Sequence, residues 1–229
     1  MLAEYVNQTQ QFLNDQQGQF FPAATLHSFI NRARRRVAAA SGCLRLLVKA
    51  QTIANQEIYP FSAWNALVQD ELPGAQNILA VRSLSIAIGQ GGWKPMWRRI
   101  VWSDFQARFR IYNGTYYGVI SEPGWWAQYG EGPYGAMYLA PIPSTPLPME
   151  IDLSCVPTPL LTDNDPEPIP YPWTDAISYW SAVLCLLQQQ RREDAMAMAV
   201  MFNSDMPMCA AVVCPQMLQT PYGAVIRSA

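Results

Sequence analysis

Charge is what this sequence has least of. Only 14% of its 229 residues are Asp, Glu, Lys or Arg, against about 25% in an ordinary soluble domain. Histidine is nearly absent: His27 stands alone, so a His-based nucleophile or metal site has no second imidazole to recruit, and a helix-surface or partly buried residue is expected there. No apolar run reaches the roughly 18 residues of a membrane span, and the longest stretches, near 176–187 and 206–214, are broken by polar groups. The first residues lack a basic segment followed by an apolar one, so no secretory signal is read and the chain is expected to stay in the cytoplasm where it is made. Five cysteines, Cys43, Cys155, Cys185, Cys209 and Cys214, are odd in number and irregular in spacing. They read as buried small hydrophobes and not as a disulfide framework. Cys209 and Cys214 lie five apart on a helical stretch, where their thiols diverge and zinc spacing is missing.

What is present is apolar and aromatic. Half of the chain is hydrophobic, 12% is aromatic, and prolines number 19. A neutral, aromatic-rich exterior fits a protein whose surface ends in contacts with other chains, because interface cores lose charge and gain Tyr, Trp and Arg. The charge that exists is laid out in blocks: +4 over 1–50, −3 over 51–81, +5 over 82–110 and −8 over 111–175, with no Lys or Arg in the last of these. Blocks of this kind can orient identical subunits side by side.

Periodicity predicts two helices in the first forty residues. Leu2, Tyr5, Val6, Thr9, Phe12 and Leu13 recur at helical spacing, and 14–18 supplies a stop. Leu26, Phe29, Ile30, Ala33, Val37 and Leu44 form a second stripe, with Pro22 near its start and Gly42 placed to end it. Arg32, Arg35 and Arg36 fall on the other face. Strands are expected at 46–53, 81–88, 99–111, 115–120, 136–139 and 149–156, with Asn113-Gly114 as a type I′ hairpin turn. The proline- and acid-rich stretch 157–172 reads as an extended crossing segment. Helix returns at Thr174-Asp175, with Ile177, Trp180, Leu184 and Leu187 as its stripe, then a polar break at 188–194 and a helix carrying Met196, Ala199, Val200 and Met201. The predicted class is α+β: residues 1–43 and 173–214 form one helical bundle, 44–172 a β-rich antiparallel insertion, and 215–229 an extended C-terminal arm.

One string tests for chemistry. "WAQYGEGPYGAMYLAP" carries G-x-G-x-x-G at Gly130, Gly132 and Gly135. A dinucleotide site needs a helix after those glycines, and a kinase glycine loop needs a following strand lysine with H-R-D and D-F-G elements. Here AMYLAP follows, a strand closed by proline, and neither lysine nor histidine comes later. The loop is expected to be a hairpin turn packed by Trp125, Trp126, Tyr129, Tyr134 and Tyr138. Carboxylate pairs at Asp70-Glu71 and Asp163 with Asp165 sit in loop-like surroundings, where solvated acids are the default. "NRARRR" lacks a helix-turn-helix or a stacking set and reads as a solvated or intersubunit face.

Four strings carry a family resemblance: "TQQFLNDQQGQFFPAATLHSFINRARRRVA", "EIYPF" at 57–61, "WAQYGEGPYGAMYLAPIP" and "IPYPWTDAISYWSAVLCLLQQQRREDA". Together and in order, they resemble the head-to-tail adaptor, connector or head-completion proteins of tailed bacteriophages, and are similar to tail-tube protein A of short-tailed phages. The resemblance implies a structural virion protein of the neck, a ring of typically twelve copies beneath the portal protein, and a channel through which double-stranded DNA leaves without being read. It implies contacts with downstream tail or nozzle proteins, no catalytic residue, no cofactor, no metal and no membrane. Within such a ring, Arg98, Arg99, Arg108 and Arg110 of the +5 block are expected to meet the −8 region of the next copy, and Pro221, Tyr222 and Ile226 of the arm are expected to dock on the portal. The alternatives are another tail or nozzle component and a small hydrolase using carboxylates of the acidic region.

Overall fold

The computed structural model describes residues 1–88, 92–95, 98–110 and 123–213. The helices are α1 (Leu2–Leu13), α2 (Ala23–Ser41), α3 (Asn65–Glu71), α4 (Trp102–Phe109), α5 (Trp173–Gln188) and α6 (Arg192–Val213). The strands are β1 (Arg45–Gln51), β2 (Ile58–Pro60), β3 (Ala75–Ile88), β4 (Gly92–Pro95), β5 (Trp125–Tyr129), β6 (Ala136–Ala140) and β7 (Pro148–Pro157). The class is α+β, and both sheets are antiparallel, one ordered β1-β7-β3-β4 and the other β2-β6-β5. The chain divides into two compact units. The first holds Met1–Ser41, Leu160–Asp165 and the chain from Ile169 onward, and the second holds Gly42–Pro159 with Pro166–Pro168.

In the first unit the caps are made by side chains that lie far away or just past the helix. The Asp163 carboxylate accepts the Ala3 N–H at 2.6 Å, closing one of the orphan donors at the start of α1. Asn14 turns left-handed at φ 54 to end it. The buried Asp15 carboxylate then accepts the N–H groups of Gln19, Phe20 and Phe21 at 2.8, 3.0 and 3.2 Å, which folds the loop into α2. Pro22 precedes α2 and Gly42, at φ +60, follows its last residue. Leu26, Ile30, Ala33 and Val37 are buried as the spacing predicts, whereas Phe29 is half-buried and Leu44 lies beyond the helix.

Of the stripe predicted for α5, only Ile177 is fully buried. Leu187 is exposed, and Trp180 and Leu184 are half-buried, while Trp173, Ala176, Ile177, Ser178, Ser181, Ala182, Val183, Cys185 and Leu186 are buried. The reason is that α5 packs against α1, α2 and α6 at once, and a helix covered on several sides has no single apolar stripe. On α6 the opposite holds. Met196, Val200 and Met201 are exposed, and the side chains that go inward are Ala195, Phe202 and Cys209, a narrow seam at seven-residue spacing.

In the second unit β7 is the spine of the larger sheet, paired to β1 from Arg45↔Ser154 to Gln51↔Pro148 and to β3 on its other side. Met149, Ile151, Leu153 and Cys155 of β7 alternate into the core as period two requires. The β3 register slips at three places, between Gln76 and Ile78, Ile78 and Ala80, and Val81 and Ser83. Such bulges free backbone groups, and Gln128 of β5 takes two of them: its Oε1 accepts the Val81 N–H at 3.0 Å and its Nε2 donates to the Leu79 carbonyl at 3.1 Å.

The predicted strand 99–111 is mostly helix. Arg99 makes a lone parallel bridge with Trp126, and Trp102–Phe109 is α4. Trp102, Phe105 and Phe109 lie at i, i+3 and i+7, and Phe105 is fully buried with Ala127 and Ala140. That spacing is helical, and the aromatic and β-branched content masked it. The hairpin at 113–114, the strand 115–120 and the arm with Pro221, Tyr222 and Ile226 lie outside the described residues, as does Cys214.

The glycine string forms β5, a 3₁₀ turn over Gly132–Tyr134 and β6, so it is a hairpin with no helix at its end. Its packing differs from expectation. Trp126 is buried and Trp125 and Tyr138 are half-buried, but Tyr134 is 92% exposed and Tyr129 is exposed too. The ring that fills the turn is Phe61, whose Cδ2 would lie 2.5 Å from a Cβ on Gly135. Gly130 and Gly132 have φ of +74° and +61°, which only glycine adopts cheaply.

Two outcomes follow for stability. Gly135→Ala overpacks a buried ring and is expected to cost about 1–3 kcal/mol, while Gly132→Ala, with no atom within 4 Å among the described residues, is expected to cost about 1 kcal/mol through φ alone. Urea unfolding of the two variants checks the order. Asn31 holds both polar groups of the Leu160 peptide, its Nδ2 donating to the carbonyl at 2.9 Å and its Oδ1 accepting the N–H at 2.8 Å. Asn31→Ala is expected to lose about 1–3 kcal/mol, and an unchanged denaturation midpoint would count against that role.

Candidate functional site

The second unit gathers arginines onto aromatic rings. The segment 98–100 runs beside β5, with the Trp126 N–H donating to the Arg98 carbonyl at 3.2 Å and the Ile100 N–H to the Trp126 carbonyl at 3.0 Å. This backbone pairing sets Arg98 and Arg99 over the hairpin. The Arg98 and Arg108 guanidinium carbons lie 4.6 and 5.5 Å from the Trp125 ring centre, and that of Arg99 is 5.3 Å from Trp126. Arg110 lies 5.4 Å from Trp102 and 5.2 Å from Tyr138, and its Nε and Nη2 donate to the Glu57 carboxylate at 3.1 and 3.2 Å. Beneath them Trp102 tilts on Tyr138 at 4.4 Å and on Tyr129 at 4.9 Å, and stacks on Phe105 at 5.7 Å. All four arginines singled out from the sequence are exposed, and each lies over an indole or phenol. Trp125 and Trp126 are successive residues of β5, so Arg98 and Arg108 sit over one face of that sheet and Arg99 over the other. A guanidinium stacked by its face keeps its in-plane N–H donors available at the edge. Beside this platform a cavity of about 370 Å³ is lined by Arg99, Ile100, Val101, Trp102 and Gln128.

The first unit has a second basic feature. Arg32, Arg35 and Arg36 of α2, with Trp180 and Leu184 of α5, line an open groove of about 420 Å³, and the Arg36 guanidinium lies 4.9 Å from the Trp180 ring centre. The sequence marks the three arginines, but nothing in it says that Trp180 would join them. The hint is that Trp180 and Leu184, four apart, share a face that α5 leaves half-covered. Arg34, in the same run, is fully buried and donates to the Asn31 Oδ1 at 3.1 Å; it is part of the frame.

Groups that could do chemistry are placed otherwise. Asp163 caps α1, and Asp165 accepts the Leu161 and Thr162 N–H groups at 2.6 and 2.8 Å and the Thr162 hydroxyl at 3.0 Å. Those hydrogen bonds, led by the Thr162 N–H, hold the Asp165 carboxyl below its usual range. This pair is turn structure. Cys155, Cys185 and Cys209 are buried free thiols, and Cys43 is half-buried. Burial pushes Cys155 up to about 11 and Cys185 to about 12, so neither offers a thiolate near neutral pH. His27 is half-buried on α2. Among the described residues no His, Cys, Asp and Glu side chains gather as a metal-binding group, and no helix is long and apolar enough to cross a membrane.

What remains are surfaces, one of guanidinium edges over aromatic rings and one an arginine groove. Comparison with known proteins agrees in kind. No curated protein matches the chain, but the family model described as SU10 adaptor protein matches residues 2–211, nearly the whole length and both units. An adaptor family is one of phage structural proteins and not of enzymes, in keeping with the resemblance carried by the four strings. By that match, this chain belongs to the SU10 adaptor protein family.

Proposed function

We propose that the protein is a head-to-tail adaptor of a tailed-phage virion, similar in role to tail-tube protein A. Copies of it form a ring, twelve in number, beneath the portal protein, extend the DNA channel, and give the tail or nozzle proteins a seat. The observation that carries this reading is the family match across residues 2–211. Two features of the surface support it. Charge is sparse, and α6 presents Met196, Val200, Met201 and Met208 outward at 70, 66, 56 and 66% exposure, a set of adaptable side chains suited to contact with other chains.

In this reading the terminal helices act as one bundle that carries the β-rich insertion, and the arm 215–229, with Pro221, Tyr222 and Ile226, docks on the portal. The platform of Arg98, Arg99, Arg108 and Arg110 meets carboxylates of the acidic block on the next copy. A ring contact joins two different faces, and guanidiniums seated on rings are well suited to carboxylates; Arg98, Arg99 and Arg108 offer their donors, whereas Arg110 already pairs with Glu57. The DNA passes with weak, sequence-independent contact, since many ordered phosphate contacts would hold it strongly and in a salt-dependent way.

Negative-stain imaging or native mass measurement of the purified chain with its portal is expected to give rings of twelve. Another symmetry would favour a different tail or nozzle component, and a lone copy away from the genome exit would end the adaptor reading. Arg98→Glu with Arg99→Glu is expected to lower ring yield on the portal, while the paired Lys variants, which keep the charge, retain most of it. Each lost ring contact costs the fold about 0.5–1 kcal/mol, so circular dichroism must show both pairs folded. Removing 215–229 is expected to spare the fold and abolish portal docking; docking that survives removes the arm from the scheme.

A further inference from the structure

The arginine groove of the first unit has a counterpart in the same unit. Arg32, Arg35 and Arg36 stand at i, i+3 and i+4, on one side of α2, where like charges repel. No ion pair engages them among the described residues; the Arg35 Nε donates only to the Asn31 carbonyl, at 3.4 Å, and Arg36 leans on Trp180. The chain thus keeps three guanidiniums around an open groove without neutralising them.

Elsewhere in the unit the Cys209 thiol reaches both the Asp205 Oδ2 of α6 at 3.8 Å and the carbonyl of Pro172, just before α5, at 3.6 Å. The Ser178 hydroxyl, one turn on from Asp175, donates to the Gln8 Oε1, one turn on from Glu4, at 2.7 Å. These contacts set the carboxylates of Glu4 (α1), Asp175 (α5) and Asp205 (α6) in one region. Burial, followed by the charges of Asp205 and Glu4, pushes the Asp175 carboxyl above its usual range. The Cys209 thiol beside them is pushed up to about 11, first by burial and then by Asp205 and Asp175. No ion pair engages these carboxylates either, among the described residues. Glu4 and Asp175 lie in the first turns of their helices, where the helix dipole favours them. Asp205 lies in the middle of α6 and has no such reason.

The two features lie on opposite sides of α5. Asp175 and Leu184 are nine positions apart, which at about 3.6 residues per turn sets them roughly 180° apart, and Trp180 is turned by roughly 140° from Asp175. Three uncompensated cations on one side and three uncompensated anions on the other are what a head-to-tail contact between identical subunits requires. Resting on the adaptor reading, we propose that the groove of Arg32, Arg35, Arg36, Trp180 and Leu184 receives the Glu4, Asp175 and Asp205 carboxylates of a second copy of this chain. Phosphate of DNA is the other chemistry that would suit arginines, but it leaves the matching acidic face unexplained.

Charge exchange in the full chain tests this. Arg35→Glu with Arg36→Glu, and separately Glu4→Lys with Asp205→Lys, are each expected to weaken self-association at least tenfold in sedimentation runs up to millimolar protein. Mixing the two folded variants is expected to restore association to near the wild-type level, because each then offers a complementary face to the other. Glu4→Lys alone, at an exposed site, provides a milder version should the double variant unfold. The contact is overturned if the reversed arginines associate like wild type, if the mixture fails to recover, or if wild type stays monomeric throughout. It is equally overturned if the arginine variant loses only its retention of a short DNA duplex. The adaptor reading fails separately: reversed arginines that still assemble like wild type remove this contact alone, whereas wild type that forms no ring on the portal removes the reading on which it rests.

Discussion

The clamp of Asn31 on the Leu160 peptide governs how this chain can be arranged. The helical unit is left at Ser41 and resumed at Leu160, so more than a hundred residues intervene between two segments that must meet again. Asn31, in the middle of α2, satisfies both the N–H and the carbonyl of Leu160, and Leu160 itself is buried. A side-chain amide, with its donor and acceptor side by side, matches the N–H and C=O of a peptide group. Arg34, one turn on, donates to the same Asn31 Oδ1 and fixes its orientation. From that point Asp163 reaches the start of α1 and Asp165 ties the turn, so the crossing segment is organised by short polar contacts where proline removes backbone donors.

The sheet unit meets the same demand from its own side. Its first and last strands, β1 and β7, are antiparallel neighbours, and the Cys155 N–H donates to the Leu44 carbonyl just before β1 begins. The chain therefore starts and finishes the unit side by side, which is the geometry an inserted domain needs. Asp152 of β7 pairs with Arg45 of β1 and lies 4.0 Å from Arg82 of β3, joining the three strands on the face away from Ile151 and Leu153. Gln128 then ties β3 to the hairpin through the bulges. Regular pairing alone would leave Val81 N–H and Leu79 C=O without those partners, and irregular pairing without Gln128 would leave buried polar groups costly.

How much of this was legible depended on whether a residue's partner was local. Pro22, Gly42 and Asn14 act on their own backbone, and they marked α1 and α2 correctly. The strand expected at 149–156 is β7, whose inward positions Met149, Ile151, Leu153 and Cys155 are all apolar. The failures share one cause. Residue type at Trp102, Phe105 and Phe109 favours strand while their spacing is helical, and the buried site between Ala127 and Ala140 decides between the two. Leu187 falls on the stripe that spacing predicts for α5, yet which side of α5 is covered depends on three other helices. The arginine platform was half legible: the basic block over 82–110 was visible, but the stacking on Trp125, Trp126, Trp102 and Tyr138 requires the tertiary pairing of 98–100 with β5.

That stacking also bears on why so few charges suffice. Salt screens the fields of charge blocks within about 8–10 Å, so beyond first approach the charges of this chain act at close range. Neighbours are then oriented by charges held in one place. Seating guanidiniums on indole rings fixes rotamers that a solvated Arg would sample freely, so less entropy is lost when a carboxylate arrives. The same reasoning applies to Arg36 on Trp180 in the helical unit. Each unit thus holds at least one arginine where an aromatic ring already orders it, Arg36 on Trp180 in the first and Arg98 on Trp125 in the second.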